Sequence, residues 1–381
     1  MPHIKALVEF EQVKKIILIT LEEKTNLEDG TSIITDLPKV KWFPFTASNY
    51  KVRLLNQIGD YRNGCKKLQH VIAAENADAV IAHGAPAGTI VHKATKRSDV
   101  PYFVSLFEPH ADYMLESGVW NKCGLRYMMQ KRWEEHQKNA AGLMPVAEGY
   151  KQKLLTEGVP GNKVIAVPCS VDADHFRFDA AGRTKMRRKL RWEKATIGIY
   201  VGKFGGLYYN EEAFQIYQQC FRLIPDFRLI ILSPQPKEEI KQQLSIYKMD
   251  LGNVYVASVP HEQVPIFLSA SDFALATYKA GPSKKYLSPV KIGEYWANGL
   301  PVLLTEGVGD DSDIIKNEGG GALFNLQQTG SLEKAIEQIQ TIVRNPKHRY
   351  EIPKLALEYR SPEKIREAYE YFFAQLANSE L

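Results

Sequence analysis

Short apolar runs, each too brief for a helix, recur along this chain and limit what it can fold into more than any other feature. In the second half they are Thr196 to Val201, Phe227 to Leu232, Val254 to Val256, Asp272 to Thr277 and Val302 to Leu304. These runs are apolar almost throughout, so each reads as a strand covered on both faces, the condition of a parallel sheet. The first half repeats the pattern with Lys15 to Thr20, Val40 to Phe45, Ala79 to Gly84, Asp99 to Leu106 and Gly142 to Val146. Segments of helical character separate the runs, and this alternation predicts a doubly wound α/β architecture. A chain of 381 residues has room for two such domains rather than one.

The opening is out of order for that architecture. Pro2 to Glu11 reads as an amphipathic helix and only then comes the strand of Lys15 to Thr20. A Rossmann-like domain starts with a strand and a glycine-rich turn, and neither is present here. The N-terminal domain is therefore expected to lack its first strand, either because the start has been lost, the favoured reading, or because the domain is unusual.

Composition excludes several function classes. The net charge of +5 and a pI near 8.7 are too weakly basic to argue for nucleic acid, but suit an anionic ligand or an anionic membrane surface. Cys65, Cys123, Cys169 and Cys220 show no paired spacing, so they predict neither a zinc site nor a disulfide framework and fit a reducing cytoplasm. No apolar run approaches the roughly 20 residues of a membrane span, and no secretory pattern opens the chain. The segment Asn121 to Asn139 sets Arg126, Lys131 and Arg132 among Leu125, Met128, Met129 and Trp133. It reads either as a basic amphipathic surface for a membrane or as a packed helix with solvated charges. Glu134 and Glu135 interrupt the basic face and favour the second reading.

The stretch from Ser288 to Leu304 carries the chemistry. Ser288 is placed to cap a helix with Pro289 in its first turn, Gly299 to end it, and Pro301 to stop it resuming. The free N–H groups near Val290 and Ile292, with Lys291 beside them, suit a phosphate or diphosphate. Glu294, about one turn on, is placed to accept from ribose hydroxyls. The competing reading is an ordinary amphipathic helix with Lys291 and Glu294 in water. A second loop follows the strand Thr196 to Val201: Gly202-Lys203-Phe204-Gly205-Gly206. Gly202 and Gly205 let backbone approach a ligand and Lys203 meets a phosphate. Gly-x-Gly-x-x-Gly is absent, which disfavours a dinucleotide enzyme.

In open α/β sheets, ligands bind beyond the carboxyl ends of strands. Two such ends in the first half are His83-Gly84 and Phe107-Glu108-Pro109-His110. Glu108 and His110 read either as sugar ligands and proton carriers or as groups that satisfy loop backbone. His261 reads as surface, Lys284 and Lys285 as solvated, Asp311-Ser312-Asp313 as a helix cap, and Cys169 as a small buried residue. No Asp-x-Asp suited to a donor-bound cation is found, so no metal and no separate cofactor are expected.

Lys291-Ile292-Gly293-Glu294-Tyr295-Trp296-Ala297-Asn298-Gly299-Leu300-Pro301-Val302 resembles the nucleotide-sugar signature of the retaining GT-B glycosyltransferases of family 4. Glu294 matches the second of that family's two glutamates, while Tyr286 stands at the first. Lys203 matches the first basic residue of the family's glycine loop, and Tyr208 replaces the second. Pro168-Cys169-Ser170-Val171-Asp172 with Phe176 resembles the crossover between the two domains of that fold.

The resemblance implies two Rossmann-like domains facing across a cleft. Residues 1–168, joined by a returning helix at 362–381, would form the acceptor side, and residues 169–361 the nucleotide-sugar side. It further implies retaining transfer of a sugar from a nucleotide donor to a saccharide or lipid-linked acceptor, in surface glycan assembly. The setting would be cytoplasmic, with peripheral contact at the inner membrane face and no nucleic acid. On this reading Lys203 and Lys291 stabilise the departing diphosphate, Gly202, Gly205, Ser288, Val290 and Ile292 frame it, Glu294 holds the ribose, and Glu108 and His110 serve the reacting sugar. A sugar-nucleotide epimerase and a non-catalytic subunit of the same fold are the competing classes.

Overall fold

In the computed structural model, residues 2–23, 37–96 and 98–379 are described. Most of the polar stretch from Glu22 to Asp29 lies outside them. The chain divides into two compact units, Met1–Val167 with Pro362–Leu381, and Pro168–Ser361.

The first described element is the helix Pro2–Glu9, followed by β1 (Ile16–Leu18), β2 (Leu21–Glu22), β3 (Val40–Trp42) and β4 (Phe45–Thr46). β1 pairs with β3 and β2 with β4, both in parallel. β1 is half-buried, not the fully covered strand its apolar run predicts. A three-stranded parallel sheet follows in the order β5 (Val80–His83), β6 (Tyr102–Leu106), β7 (Gly142–Pro145). Helix Gly84–Thr95 packs against both Arg53–Glu75 and Leu125–Gln137. It starts directly after β5, because Gly84 takes a φ of +80° that lets the chain turn straight from the strand into a helix. The predicted long basic helix is shorter than its sequence pattern. Asn121 to Gly124 form a turn, with the Gly124 N–H donating to the Asn121 carbonyl, and helix begins only at Leu125. The last helix, Glu363–Ser379, sets Ala368, Tyr369 and Phe372 against Leu7, Phe103 and Met144 in the core of this unit. A side chain at Gly142 would meet Phe372 at 2.6 Å, so the backbone of β7 supports that packing directly.

The second unit is built on six parallel strands: β8 (Thr196–Val201), β9 (Phe227–Leu232), β10 (Val254–Ala257), β11 (Phe273–Ala276), β12 (Val302–Thr305) and β13 (Gly321–Phe324). Their order is β10-β9-β8-β11-β12-β13. Alternate residues feed two apolar layers. Ile197, Ile199, Ala274, Val302 and Leu304 meet Phe267, Ile292 and Trp296 on one face. Tyr200, Leu229, Phe273, Leu275 and Leu303 meet Phe214, Ile240 and Ile336 on the other. At about 1.5–3 kcal/mol for each large apolar side chain fully buried, this two-sided cover is what makes a continuous apolar run stable as a strand. Among the described residues no helix is long and apolar enough to cross a membrane.

Candidate functional site

β8 and β11 are neighbours, yet the chain leaves them toward opposite edges of the sheet. Their carboxyl ends therefore border the switch point at which open α/β sheets take ligands. The loop after β8 turns at Gly202, whose φ of +143° is one that residues with a side chain rarely adopt. The loop is pinned from two sides. The Tyr200 hydroxyl donates to the Lys203 carbonyl at 2.6 Å, and the Phe204 N–H donates to Gln235 Oε1 at 2.6 Å. Gly205 and Gly206 both have positive φ with open space where a side chain would stand. The Lys203 side chain is exposed.

Helix Val290–Ala297 starts beside this loop. Its N-cap is Pro289, and no side chain caps it. The cap expected from Ser288 is thus corrected, since its hydroxyl is committed elsewhere. Ser288 Oγ accepts from the Cys169 N–H at 3.0 Å and contacts the Arg360 guanidinium, which also pairs with Asp311 in the core. Asp311, read as part of a helix cap, does open the helix Asp311–Glu318, but its side chain caps nothing and is the fully buried partner of Arg360. Ile292 is corrected as well: its side chain is buried in the core, and its N–H donates to the Pro289 carbonyl at 3.2 Å. Val290, at the exposed first turn, and Lys291 keep the free N–H groups that a helix start must have.

Lys291 is the central residue. Its Nζ is buried and, among the described residues, makes no hydrogen bond. It lies 4.0 Å from the ring centre of Tyr208, 5.1 Å from that of Tyr200 and 5.6 Å from that of Tyr278. A side chain on Gly202 would begin 2.7 Å from the same nitrogen, so glycine is what lets the ammonium reach the loop. Burial pushes the Lys291 ammonium down to about 7, and the Glu294 carboxylate opposes that shift. Burial also raises the phenols of Tyr200, Tyr208 and Tyr278, so the cage stays neutral and provides ring faces but no counter-anion. A desolvated cation set among neutral rings is a costly arrangement that a directly bound anion would relieve.

Glu294 is also buried, and its Oε1 lies 2.9 Å from Nε2 of His261. His261 is exposed, as expected of a surface residue, but it is tied to the carboxylate and stacks near His175. It belongs to the site. Sequence reading also misses Tyr200, Tyr278 and Gln235. Only Tyr208 leaves a trace, as an aromatic residue where the resembled family has a lysine. Lys284 is buried rather than solvated, with Nζ donating to Ser283 Oγ at 3.1 Å, whereas Lys285 is exposed and lies over the Tyr286 ring. Cys169 is half-buried.

Glu108 and His110 belong to the other unit. Nδ1 of His110 lies 2.9 Å from Glu108 Oε1, and its ring meets the edge of Trp120 at 5.5 Å. Both side chains remain partly exposed at the carboxyl end of β6. Among the described residues no group of three or more His, Cys, Asp or Glu is placed to hold a metal ion.

By sequence, no family model and no curated protein matches the chain. Solved structures do match its fold. HepE of Anabaena, solved with UDP, aligns at a TM-score of 0.70 and 14% identity over 98% of this chain and 96% of its own. A glycosyltransferase of Rickettsia africae aligns at 0.71 and 15% identity over 99% and 94%. The UDP-GlcNAc 2-epimerase of Neisseria meningitidis, bound to UDP-GlcNAc, aligns at 0.60 and 13% identity over 98% and 95%. The chain therefore has the α/β fold of the GT-B glycosyltransferases, a fold shared with an enzyme that epimerises.

Proposed function

We propose that this chain is a glycosyltransferase that takes a sugar from a nucleotide-sugar donor and delivers it, with retention, to a saccharide or lipid-linked acceptor in surface glycan assembly. The observation that carries the reading is the buried, unpaired Lys291 ammonium at the meeting point of a helix start and the Gly202 turn. Those are the parts of a diphosphate grip: a cation, free N–H groups and backbone that can approach closely. The departing nucleoside diphosphate gains negative charge as the glycosidic bond breaks. A positive charge already in place stabilises that developing charge without reorganisation. Glu294, steadied by His261, holds ribose hydroxyls. Lys203 adds a mobile cation at the rim, and Glu108 and His110 serve the reacting sugar. Solved structures of the same fold with UDP or UDP-GlcNAc bound support a uridine donor.

The likeness to a UDP-GlcNAc 2-epimerase favours a second reading, an epimerase that needs no acceptor, and Tyr286 and Tyr208, standing where the resembled family has a glutamate and a lysine, favour a third, a non-catalytic subunit. Incubation with UDP-, GDP- and ADP-sugars separates the readings. Transfer to an added glycan or lipid-linked acceptor supports the first, and an epimerised sugar or free nucleotide formed from donor alone supports the second. Nucleotide binding with no turnover in either assay would mark a non-catalytic subunit.

A further inference from the structure

The first unit contains a cavity of about 390 Å³, lined by residues of helices Arg53–Glu75, Gly84–Thr95 and Leu125–Gln137 and by Lys96. Neither Glu108 nor His110 lines it. Its walls are of two kinds. One is aromatic: Tyr61 and Trp133 lie with ring planes 8° apart and centres 6.3 Å apart, and Ile58 and Met129 extend that apolar surface. The other is cationic, formed by Lys93, Lys96 and Arg132 around a stacked imidazole pair, His92 and His136, with centres 4.8 Å apart. Among the described residues no carboxylate lines the cavity.

The charges on helix Leu125–Gln137 and its surroundings are divided unevenly. Away from the cavity, Lys131 pairs with Asp112 and Glu134, Lys138 with Glu135 and Glu157, and Lys153 with Asp112 and Glu157. Among the described residues, Lys93, Lys96 and Arg132 make no ion pair. Both imidazoles register the resulting positive field. Burial lowers His92 and His136 first, and Lys93 and Lys96 lower His92 further, as Arg132 and Lys96 do His136. A hollow with three unmatched cations on one side and stacked rings on the other is complementary to a molecule that is anionic at one end and apolar at the other.

We infer that this cavity is a binding site for a phosphate ester, its phosphate held by Lys93, Lys96 and Arg132 and its apolar part laid on Tyr61 and Trp133. The site is independent of the donor-site reading, because every residue in it belongs to the first unit. The same chemistry is found in a soluble phosphate ester and in a lipid headgroup at a bilayer surface.

The test uses the full chain and calorimetry with dihexanoyl phosphatidate, kept below its aggregation threshold, alongside inorganic pyrophosphate. Lys93→Ala/Lys96→Ala/Arg132→Ala should keep its fold, since all three side chains are exposed and unpaired, and should lose at least about tenfold in phosphatidate affinity. Lys185→Ala/Arg188→Ala/Lys189→Ala removes the same charge from an exposed face of the other unit and should stay within about twofold of wild type. Pyrophosphate, lacking the apolar part, should bind at least about tenfold more weakly than phosphatidate. Flotation with phosphatidylcholine vesicles containing phosphatidate identifies the source. Recruitment abolished by the cavity variant assigns a lipid headgroup, and cavity-dependent binding of the soluble probe without recruitment assigns a soluble ester. Equal weakening by the two triple variants, pyrophosphate binding as tight as phosphatidate, or no binding of any probe at millimolar concentration would overturn the inference.

Discussion

Two strand-end loops, one in each unit, hold their charges in opposite ways. After β6, Glu108 and His110 satisfy each other at 2.9 Å and remain partly open to water. After β8, the Gly202 turn closes over Lys291, whose ammonium is buried against three tyrosine rings and makes no hydrogen bond or ion pair among the described residues. The first loop is electrostatically complete as it stands. The second holds a desolvated positive charge among neutral rings. A folded chain carries such a charge at a cost in stability, which an anionic ligand binding there offsets. On the proposed reading, the difference separates a loop that recognises a diphosphate from a loop whose charges are already matched.

The sharpest way to break the comparison is to remove the unpaired charge. Lys291→Met should weaken binding of the preferred nucleoside diphosphate by about 10- to 100-fold, read by calorimetry. The same variant should melt at a higher temperature than wild type without ligand, because a buried cation has been replaced by an isosteric apolar chain. The gain should be larger at pH 6 than at pH 9. The sign follows from Lys291 being pushed down to about 7 in the folded chain, below its ordinary value of 10.5. The folded state then binds fewer protons than the unfolded state as pH rises through that window, and the burial cost fades. Next in size is Gly202→Ala. It forces a side chain into a φ of +143° and against the ammonium, and should cost about tenfold in nucleotide affinity.

Glu294→Gln should have a smaller effect, about fivefold for a nucleoside diphosphate and less for inorganic pyrophosphate, because on the proposed reading the carboxylate holds the ribose and only supports the Lys291 charge from a distance. Smallest of all is His110→Ala. It should leave nucleotide affinity within about twofold and shift folding stability by less than about 0.5 kcal/mol, as expected for a half-exposed, self-paired group. A loss of nucleotide binding in this last variant as large as that of Lys291→Met would erase the distinction between the loops.

Much of this could be read before any coordinates. The five apolar runs named in the second unit all became parallel strands because continuous, two-sided hydrophobicity has one common outcome in an α/β chain. Lys291, Glu294 and Gly202 were visible because helix starts and glycine turns have local signatures. Other features depend on residues far apart in sequence. Ser288 lost its capping role to contacts with Cys169 and Arg360, 119 and 72 positions away. Asp311 pairs with Arg360, 49 positions on, so a cap-like run became part of a buried ion pair. His261 meets Glu294 across 33 positions, and Tyr278 reaches Lys291 from the end of a neighbouring strand. Short polar motifs announce local geometry. They do not announce which distant partner will claim the side chain.

The pH dependence of nucleoside diphosphate binding, measured by calorimetry from pH 7 to pH 9 on wild type and Lys291→Met, tests the central claim most directly. A lysine that is half neutral near pH 7 when unliganded must take up a proton to hold the diphosphate, so wild-type affinity should fall toward about tenfold for each unit of pH above 7, while the variant stays flat. Parallel curves for the two proteins, with similar affinities throughout, would show that the diphosphate is held elsewhere.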